Sequence, residues 1–189
     1  MLNYTNFLLL FCGLFANFVP KMLFMLIRLP HVAQTWRTNV NCQILNIKLL
    51  IMLTIEEVLR IAIDAHEGEK DLDGKPVILH PLAVGLAGRN REEMVAGFLH
   101  DVVEDTRFTF DDLLGMGVET EVVDALRLLT HEKGTDYYAY VQRIIDSANP
   151  IALAVKRNDL NHNLARGRAG GHTRQVTKHE KALAMLDAG

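Results

Sequence analysis

Apolar residues recur at helical spacing along most of this 189-residue chain. The first predicted helix begins at a capping box, Thr54–Glu57, and ends before Gly68. Pro81 suits the first turn of a helix that runs to about residue 87, and a longer helix is predicted over residues 92–104. The apolar stripe of this longer helix consists of Met94, Phe98, Leu99 and Val102. Further helices are predicted over residues 110–115, 119–130, 136–147, 150–166 and 174–187, with caps at Thr109 and Thr135.

The segments between these helices are polar and short. Residues 68–79 contain the turn-forming pair Asp73-Gly74 and are predicted to form the first long loop. No stretch alternates apolar and polar residues for long enough to indicate a strand. The pattern therefore predicts an all-α protein.

Composition narrows the class of protein further. The chain is 49% hydrophobic and 23% charged, so it can bury a core. Its net charge of −3 gives no general attraction to nucleic acid. Cys12 and Cys42 are too few for a disulfide framework or a zinc ribbon. These observations exclude a basic DNA-binding protein, a disulfide-rich secreted domain and a multi-span transporter.

The composition changes abruptly near residue 55. Four of the 20 bases precede Glu56, which is the first of the 23 acids, so the remainder of the chain carries a net charge of −7. Five of the eight phenylalanines lie before this point, and seven of the eight histidines lie after it. We therefore expect two unlike segments, residues 1–51 and residues 52–189.

The leading segment contains a strongly apolar run over residues 7–29, which is long enough to cross a bilayer. Pro20 and Lys21 interrupt it, and a charge there costs about 2.5–3.5 kcal/mol on insertion scales. No basic residue precedes the run, as a signal peptide would require. We expect residues 1–51 to lie outside the fold, as a misread upstream start; a membrane anchor and a signal peptide are the alternatives.

Titratable residues concentrate in the sequence HDVVED, at 100–105. On a continuous helix, Glu104 would lie one turn above His100, and Asp105 one turn above Asp101. Such crowded groups are costly to desolvate unless they share a cation. The alternative is a solvated acidic helix end.

Two further places carry candidate chemistry. His80 precedes Pro81 at a predicted helix start, where a lone histidine is more often a cap or a core residue than a ligand. Asp159 and Asn163 share a face of a later predicted helix, and a mid-helix aspartate is a poor helix former. An exposed aspartate is the simpler interpretation of that position taken alone.

Taken together, the three places form a coherent set. Two histidines and two aspartates from separate helices suit Mn²⁺, Fe²⁺ or Zn²⁺. Glu104 and Asp105 then remain as carboxylates for proton transfer. A metal with an open position would make water a nucleophile near neutral pH.

Three blocks of the sequence resemble the Rel/Spo-type HD hydrolases, which cleave the alarmones ppGpp and pppGpp. HDVVEDT at 100–106 is similar to the HDxxED signature of that family. AHEGEKDLDGKPVILHP at 65–81 resembles its AHxGQ…HP block, and VKRNDLNHNL at 155–164 resembles its VKLADRLHNL block. The blocks occur in the family's order over about residues 54–187.

The resemblance implies a fold and a set of roles. The fold would be an HD-domain helical bundle with a metal site between helices. The implied ligands of the metal, typically Mn²⁺ although another divalent ion is possible, are His80, His100, Asp101 and Asp159. Glu104 and Asp105 would orient and activate the attacking water, and Lys70 and Asn163 would contact the nucleotide. His66 and His162 also match motif positions, and we interpret both as supporting residues.

The implied activity is that of a small, stand-alone, cytoplasmic alarmone hydrolase, similar to the metazoan SpoT homologues of the stringent response. It would convert ppGpp to GDP and pyrophosphate, and it would have no nucleic-acid partner. Because the sequence ends soon after the last predicted helix, we expect a hydrolase without a synthetase domain. A membrane partner is expected only if residues 7–29 are retained as an anchor.

Three departures from the family pattern leave the substrate open. Val77 replaces a tyrosine, Glu69 replaces a glutamine, and Arg157-Asn158 replace Leu-Ala. Another nucleotide phosphohydrolase is therefore the first alternative, since animal relatives of this size act on NADPH. A catalytically silent helical binding module is the second, and it predicts a missing ligand or catalytic carboxylate, whereas all six are present.

A chain that begins at Met52 is expected to fold and to be as active as the full chain. Every candidate site residue lies after this position, and the capping box at Thr54 supplies a complete helix start. Circular dichroism and turnover of the two chains measure this. A shortened chain that fails to fold would show that the apolar segment packs on the body.

Overall fold

The structure is a computed structural model, and it describes residues 52–188. The expectations for residues 1–51 lie outside this range. The helices of the described residues are α1 (Ile55–Ala65), α2 (Leu79–Leu86), α3 (Arg91–Leu99), α4 (Val102–Asp105), α5 (Phe110–Met116), α6 (Thr120–Leu129), α7 (Tyr137–Ser147), α8 (Pro150–Ala169) and α9 (Thr173–Ala188). Within residues 52–188 the only extended pairing is one isolated antiparallel bridge, Lys70 with Pro76. The predicted all-α class is confirmed.

Side-chain caps fix where several helices begin. The Thr54 hydroxyl accepts from the Glu57 amide at 3.2 Å, and the Glu57 carboxylate accepts from the Thr54 amide at 2.7 Å, as the predicted capping box requires. Thr109 caps α5 in the same way. The predicted cap at Thr135 is wrong: Asp136 accepts from two amides of the first turn of α7, each at 3.0 Å. A carboxylate at that position satisfies two free N–H groups at once.

The long helix predicted over residues 92–104 is also wrong, because it is broken at His100 and Asp101. Helix α3 ends at Leu99, and a single further turn, α4, runs from Val102 to Asp105. The His100 ring nitrogen Nδ1 lies 2.8 Å from the Gly97 carbonyl oxygen, so a side chain there takes the place of a helical backbone donor. The break places His100 and Asp101 between α3 and α4.

Helix α3 forms the centre of the core. Residues from Val95 to Leu99 are all buried, so the helix is covered on every side rather than along one stripe. Helix α8 packs against α2, α3, α6 and α9, and its buried residues include Val155 and Leu160. These two helices therefore support residues from distant parts of the chain at one place.

Helices α2 and α3 approach each other through two glycines. A Cβ atom added at Gly97 would lie 2.6 Å from the Gly85 Cα, and one added at Gly85 would overlap the Phe98 ring. No side chain larger than hydrogen fits between the backbones at this crossing. The crossing brings the segment that carries His80 close to the end of α3.

None of the helices within residues 52–188 combines the length and the apolar character that crossing a bilayer requires.

Gly97→Ala is expected to destabilise the protein by about 1–3 kcal/mol, because the added methyl group forces the α2 and α3 backbones apart. Gly115→Ala is the matched control, since a Cβ at this helical position in α5 meets no atom within 4 Å. Its expected effect is a stabilisation of about 0.5–1 kcal/mol. Urea unfolding of both variants measures the difference, and equal stability of the two would contradict the close crossing.

Candidate metal centre

Four side chains converge between α2, α3, α4 and α8. His80 lies in the first turn of α2, His100 and Asp101 occupy the break between α3 and α4, and Asp159 lies in the middle of α8. The two Nε2 atoms of His80 and His100 are 3.2 Å apart. Asp101 oxygens lie 3.0 Å from His100 Nε2 and 3.6 Å from His80 Nε2. Asp159 Oδ1 lies 3.1 Å from His80 Nε2 and 3.9 Å from His100 Nε2.

These distances fit a divalent metal ion. Nitrogen and oxygen ligands bind such an ion at about 2.0–2.2 Å, so neighbouring ligand atoms lie about 3 Å or more from one another. Ligand atoms of His80, His100 and Asp101 all lie within 4.8 Å of each other. Two imidazole nitrogens that face each other with two carboxylates beside them form a donor set that suits Mn²⁺, Fe²⁺ or Zn²⁺.

Each histidine is oriented through its second ring nitrogen. His100 Nδ1 meets the Gly97 carbonyl, and His80 Nδ1 lies 2.7 Å from His162 Nδ1, with the His80 and His162 rings stacked. If His80 directs its Nε2 lone pair at a metal, its Nδ1–H donates to a neutral His162. Burial and the nearby His80 lower the pKa of His162, which favours that neutral form. The supporting role that we inferred for His162 agrees with this contact.

Asp159 is held in its charged form by its neighbours on α8. Lys156 Nζ lies 2.8 Å from Asp159 Oδ2, and the Asn163 amide donates to Asp159 Oδ1 at 2.5 Å. Burial alone would raise the pKa of Asp159, but the Lys156 ammonium and the two imidazoles keep it well below its usual range. A buried carboxylate is thus available as an anionic ligand.

Glu104 and Asp105 lie on the short helix α4, beside the four converging side chains. The His131 amide donates to Glu104 Oε2 at 2.8 Å, which fixes that carboxylate. Both residues are exposed, but nearby protein displaces part of the water around their carboxylates. This desolvation raises the pKa of each carboxylate. The negative charge of Asp101 raises both pKa values further. Raised carboxyl pKa values suit groups that exchange protons near neutral pH.

The converging side chains form one wall of a cavity of about 240 Å³. Glu104 also lines this cavity, whereas Asp105 does not. Aromatic and basic side chains also line it, and these are His131, Tyr137, Tyr140, Lys156, Lys178 and His179. The cavity therefore combines carboxylates and imidazoles with basic and aromatic side chains.

The two residues predicted to contact a nucleotide are placed differently. Asn163 lines the cavity and binds Asp159. Lys70 is exposed in the loop after α1 and is not among the residues that line the cavity. Its role stays a prediction. In that loop His66 is buried, and its Nδ1 lies 3.1 Å from Glu69 Oε2.

Several residues that line the cavity were not predicted from the sequence. Lys156 is three residues before Asp159, and this helical spacing could have indicated their ion pair. Tyr137 and Tyr140 share a face of α7 and point to the same place, but aromatic residues at helical spacing equally indicate core packing. Lys178 lies on the last predicted helix, but nothing in the sequence around it indicated that it would line the cavity.

The sequence is similar to curated proteins named as GTP pyrophosphokinases and (p)ppGpp synthase/hydrolases. No family model matches the chain. It is 33% identical over 141 residues to the GTP pyrophosphokinase of Streptomyces coelicolor, covering 69% of this chain and 17% of that protein. It is 41% identical over 83 residues to the bifunctional (p)ppGpp synthase/hydrolase SpoT of Escherichia coli, covering 40% of this chain and 12% of that protein. The chain thus spans less than a fifth of the length of these relatives.

The fold is similar to that of a solved structure titled as a metazoan ortholog of SpoT that hydrolyzes ppGpp. The TM-score is 0.50 at 22% sequence identity, and the match covers 70% of this chain and 92% of that one. This likeness concerns the helical fold of the domain. Residues 52–188 therefore form an all-α domain with the HD-domain fold, and the resemblance of the chain to the Rel/Spo-type HD family is confirmed.

Proposed function

We propose that this chain is a metal-dependent phosphohydrolase that cleaves guanosine 3′,5′-bis(diphosphate) to GDP and pyrophosphate. The observation that carries the proposal is the meeting of His80, His100, Asp101 and Asp159 on the wall of a cavity that Glu104 also lines. Support for the substrate comes from two similar proteins, one named a (p)ppGpp synthase/hydrolase and one titled as hydrolyzing ppGpp.

The metal in this proposal is Mn²⁺, held by the two Nε2 atoms and by oxygens of Asp101 and Asp159. When bound, such an ion lowers the pKa of water and neutralises charge that develops on phosphate. Lys156 and Asn163 hold the Asp159 carboxylate, so this ligand is fixed whether or not the ion is present.

Glu104 takes the proton from the attacking water. Its carboxylate lines the cavity and is anchored by the His131 amide, so one oxygen is fixed while the other remains free to face the substrate. Burial and the charge of Asp101 raise its pKa, which makes it a stronger base than an ordinary carboxylate.

The reaction then needs no further acid. The water oxygen bonds to the phosphorus attached to the 3′ oxygen, the bond between this phosphorus and the 3′ oxygen breaks, and the proton held by Glu104 passes to the departing 3′ oxygen. Asp105 stays a proposed partner in orienting water, because burial and Asp101 raise its pKa in the same way. Asn163 and Lys70 are the proposed nucleotide contacts.

The full chain loaded with Mn²⁺ is expected to release pyrophosphate from ppGpp, and EDTA is expected to abolish the activity. NADPH and deoxynucleoside triphosphates, incubated in parallel, test the alternative substrates that the change at Val77 leaves open. The products are separated by ion-exchange chromatography. Turnover of NADPH without release of pyrophosphate from ppGpp would overturn the proposed substrate but not the metal centre.

Glu104→Gln is expected to lower the turnover number by about a hundredfold or more while the metal content stays near that of the wild type. The amide keeps the size of the side chain but cannot accept the proton. Asp101→Ala and Asp159→Ala are expected to lose metal and activity together. Elemental analysis of the purified variants decides between the roles, and a metal-free Glu104→Gln protein would contradict the assignment.

A further inference from the structure

Lys178 of α9 lies where the metal-centre cavity meets a second, smaller one. The second cavity has a volume of about 180 Å³ and lies between the loop after α1 and helices α8 and α9. The residues that line both cavities are Asn163, Lys178 and His179. A ligand that occupies both spaces must pass these three side chains.

Of the two lysines that line these cavities, Lys156 and Lys178, only Lys178 has no carboxylate beside its ammonium group among residues 52–188. Lys156 forms an ion pair with Asp159 at 2.8 Å, and Arg166 in the second cavity forms one with Asp71 at 2.7 Å. His172, also in the second cavity, lies 3.1 Å from Asp73. Among residues 52–188, no carboxylate oxygen lies within 4.0 Å of Lys178 Nζ. Its positive charge is therefore available to an anionic ligand.

Tyr137 holds this ammonium in place. Lys178 Nζ lies 3.6 Å from the centre of the Tyr137 ring, and the Lys156 ammonium lies 5.6 Å from the same ring. A cation over an aromatic face is attracted to it but keeps donors free for another partner. Burial and the charge of Lys156 lower the pKa of Lys178, which is the direction expected for a cation that lacks its counter-ion.

We propose that Lys178 binds a second phosphate group of the substrate, so that the site selects nucleotides with phosphates at two separate positions. The inference rests on the proposed function. The 3′-diphosphate lies at the metal centre, while the 5′-diphosphate enters the second cavity and accepts hydrogen bonds from Lys178. Tyr137 is a positioning residue, because it acts through the lysine that it holds.

The magnitude of the effect follows from the kind of contact. A hydrogen bond between an ammonium and a phosphate is charge-assisted, and its loss costs about tenfold or more in affinity. Such a loss is expected to weaken substrate binding rather than to slow the chemical step, since the phosphate group that Lys178 would bind does not react.

The test is binding of GDP to the metal-free full chain, measured by isothermal titration calorimetry. GDP carries the 5′-diphosphate but no 3′-diphosphate, so without metal it reports on the second position alone. We expect Lys178→Met to weaken GDP binding by about tenfold or more and Lys178→Arg to retain most of it. Lys181→Met is the matched control, because Lys181 lies on the same helix over Tyr138 at 4.0 Å and lines neither cavity.

Three results would overturn the proposal. They are the absence of GDP binding to the wild-type chain up to about millimolar concentration, unchanged binding in Lys178→Met, and an equal loss in Lys181→Met. The same variants are then compared on ppGpp with metal, where a raised KM with an unchanged kcat is expected for Lys178→Met. If the wild-type chain binds GDP through Lys178 but releases no pyrophosphate from ppGpp, the proposed function fails and the phosphate-binding role stands.

Discussion

Direct contact between the backbones of α2 and α3, at Gly85 and Gly97, is the constraint on which the rest of the structure depends. His80 lies five residues before one glycine, and His100 lies three residues after the other. Because no side chain separates the helices here, the two imidazole nitrogens come within 3.2 Å of each other. The Gly97 carbonyl also meets the His100 ring, so the same short segment fixes both the position and the direction of a candidate ligand.

Charge balance explains why these groups tolerate burial together. Asp159 is buried beside Lys156, and burying either charge without the other would be costly. Helix α8 supplies both residues, one turn apart, and also Asn163 and His162. Carboxylates and the ammonium groups of Lys156 and Lys178 thus line the same cavity. A phosphorylated ligand with a divalent metal fits a cavity that carries charges of both signs.

Much of the fold could be predicted from the sequence because its signals are local. The Thr54 and Thr109 caps depend on residues three positions apart, and amphipathic spacing indicates most helices. The break at His100 could not be predicted in this way, since it depends on a side-chain contact with the Gly97 carbonyl and on burial of α3 on all sides.

The same distinction between local signals and contacts in space applies to the candidate site. Spacing alone left His80 and Asp159 as plausible core or surface residues, and only the three blocks taken together indicated that they would meet. The structure brings them within 3.1 Å. Lys178 lies in none of the three motif blocks. Its proposed role depends on there being no carboxylate near it among residues 52–188, and a single sequence does not contain such distances. Lys70 matches a motif and is exposed outside the cavity lining, so its contact with the nucleotide stays a prediction.

The most direct measurement is anomalous diffraction at the manganese absorption edge from crystals of the protein grown with Mn²⁺. A single strong peak is predicted at about 2.1 Å from the Nε2 atoms of both His80 and His100 and from an oxygen of each of Asp101 and Asp159. A peak at another place, or one that excludes either histidine, would contradict the account.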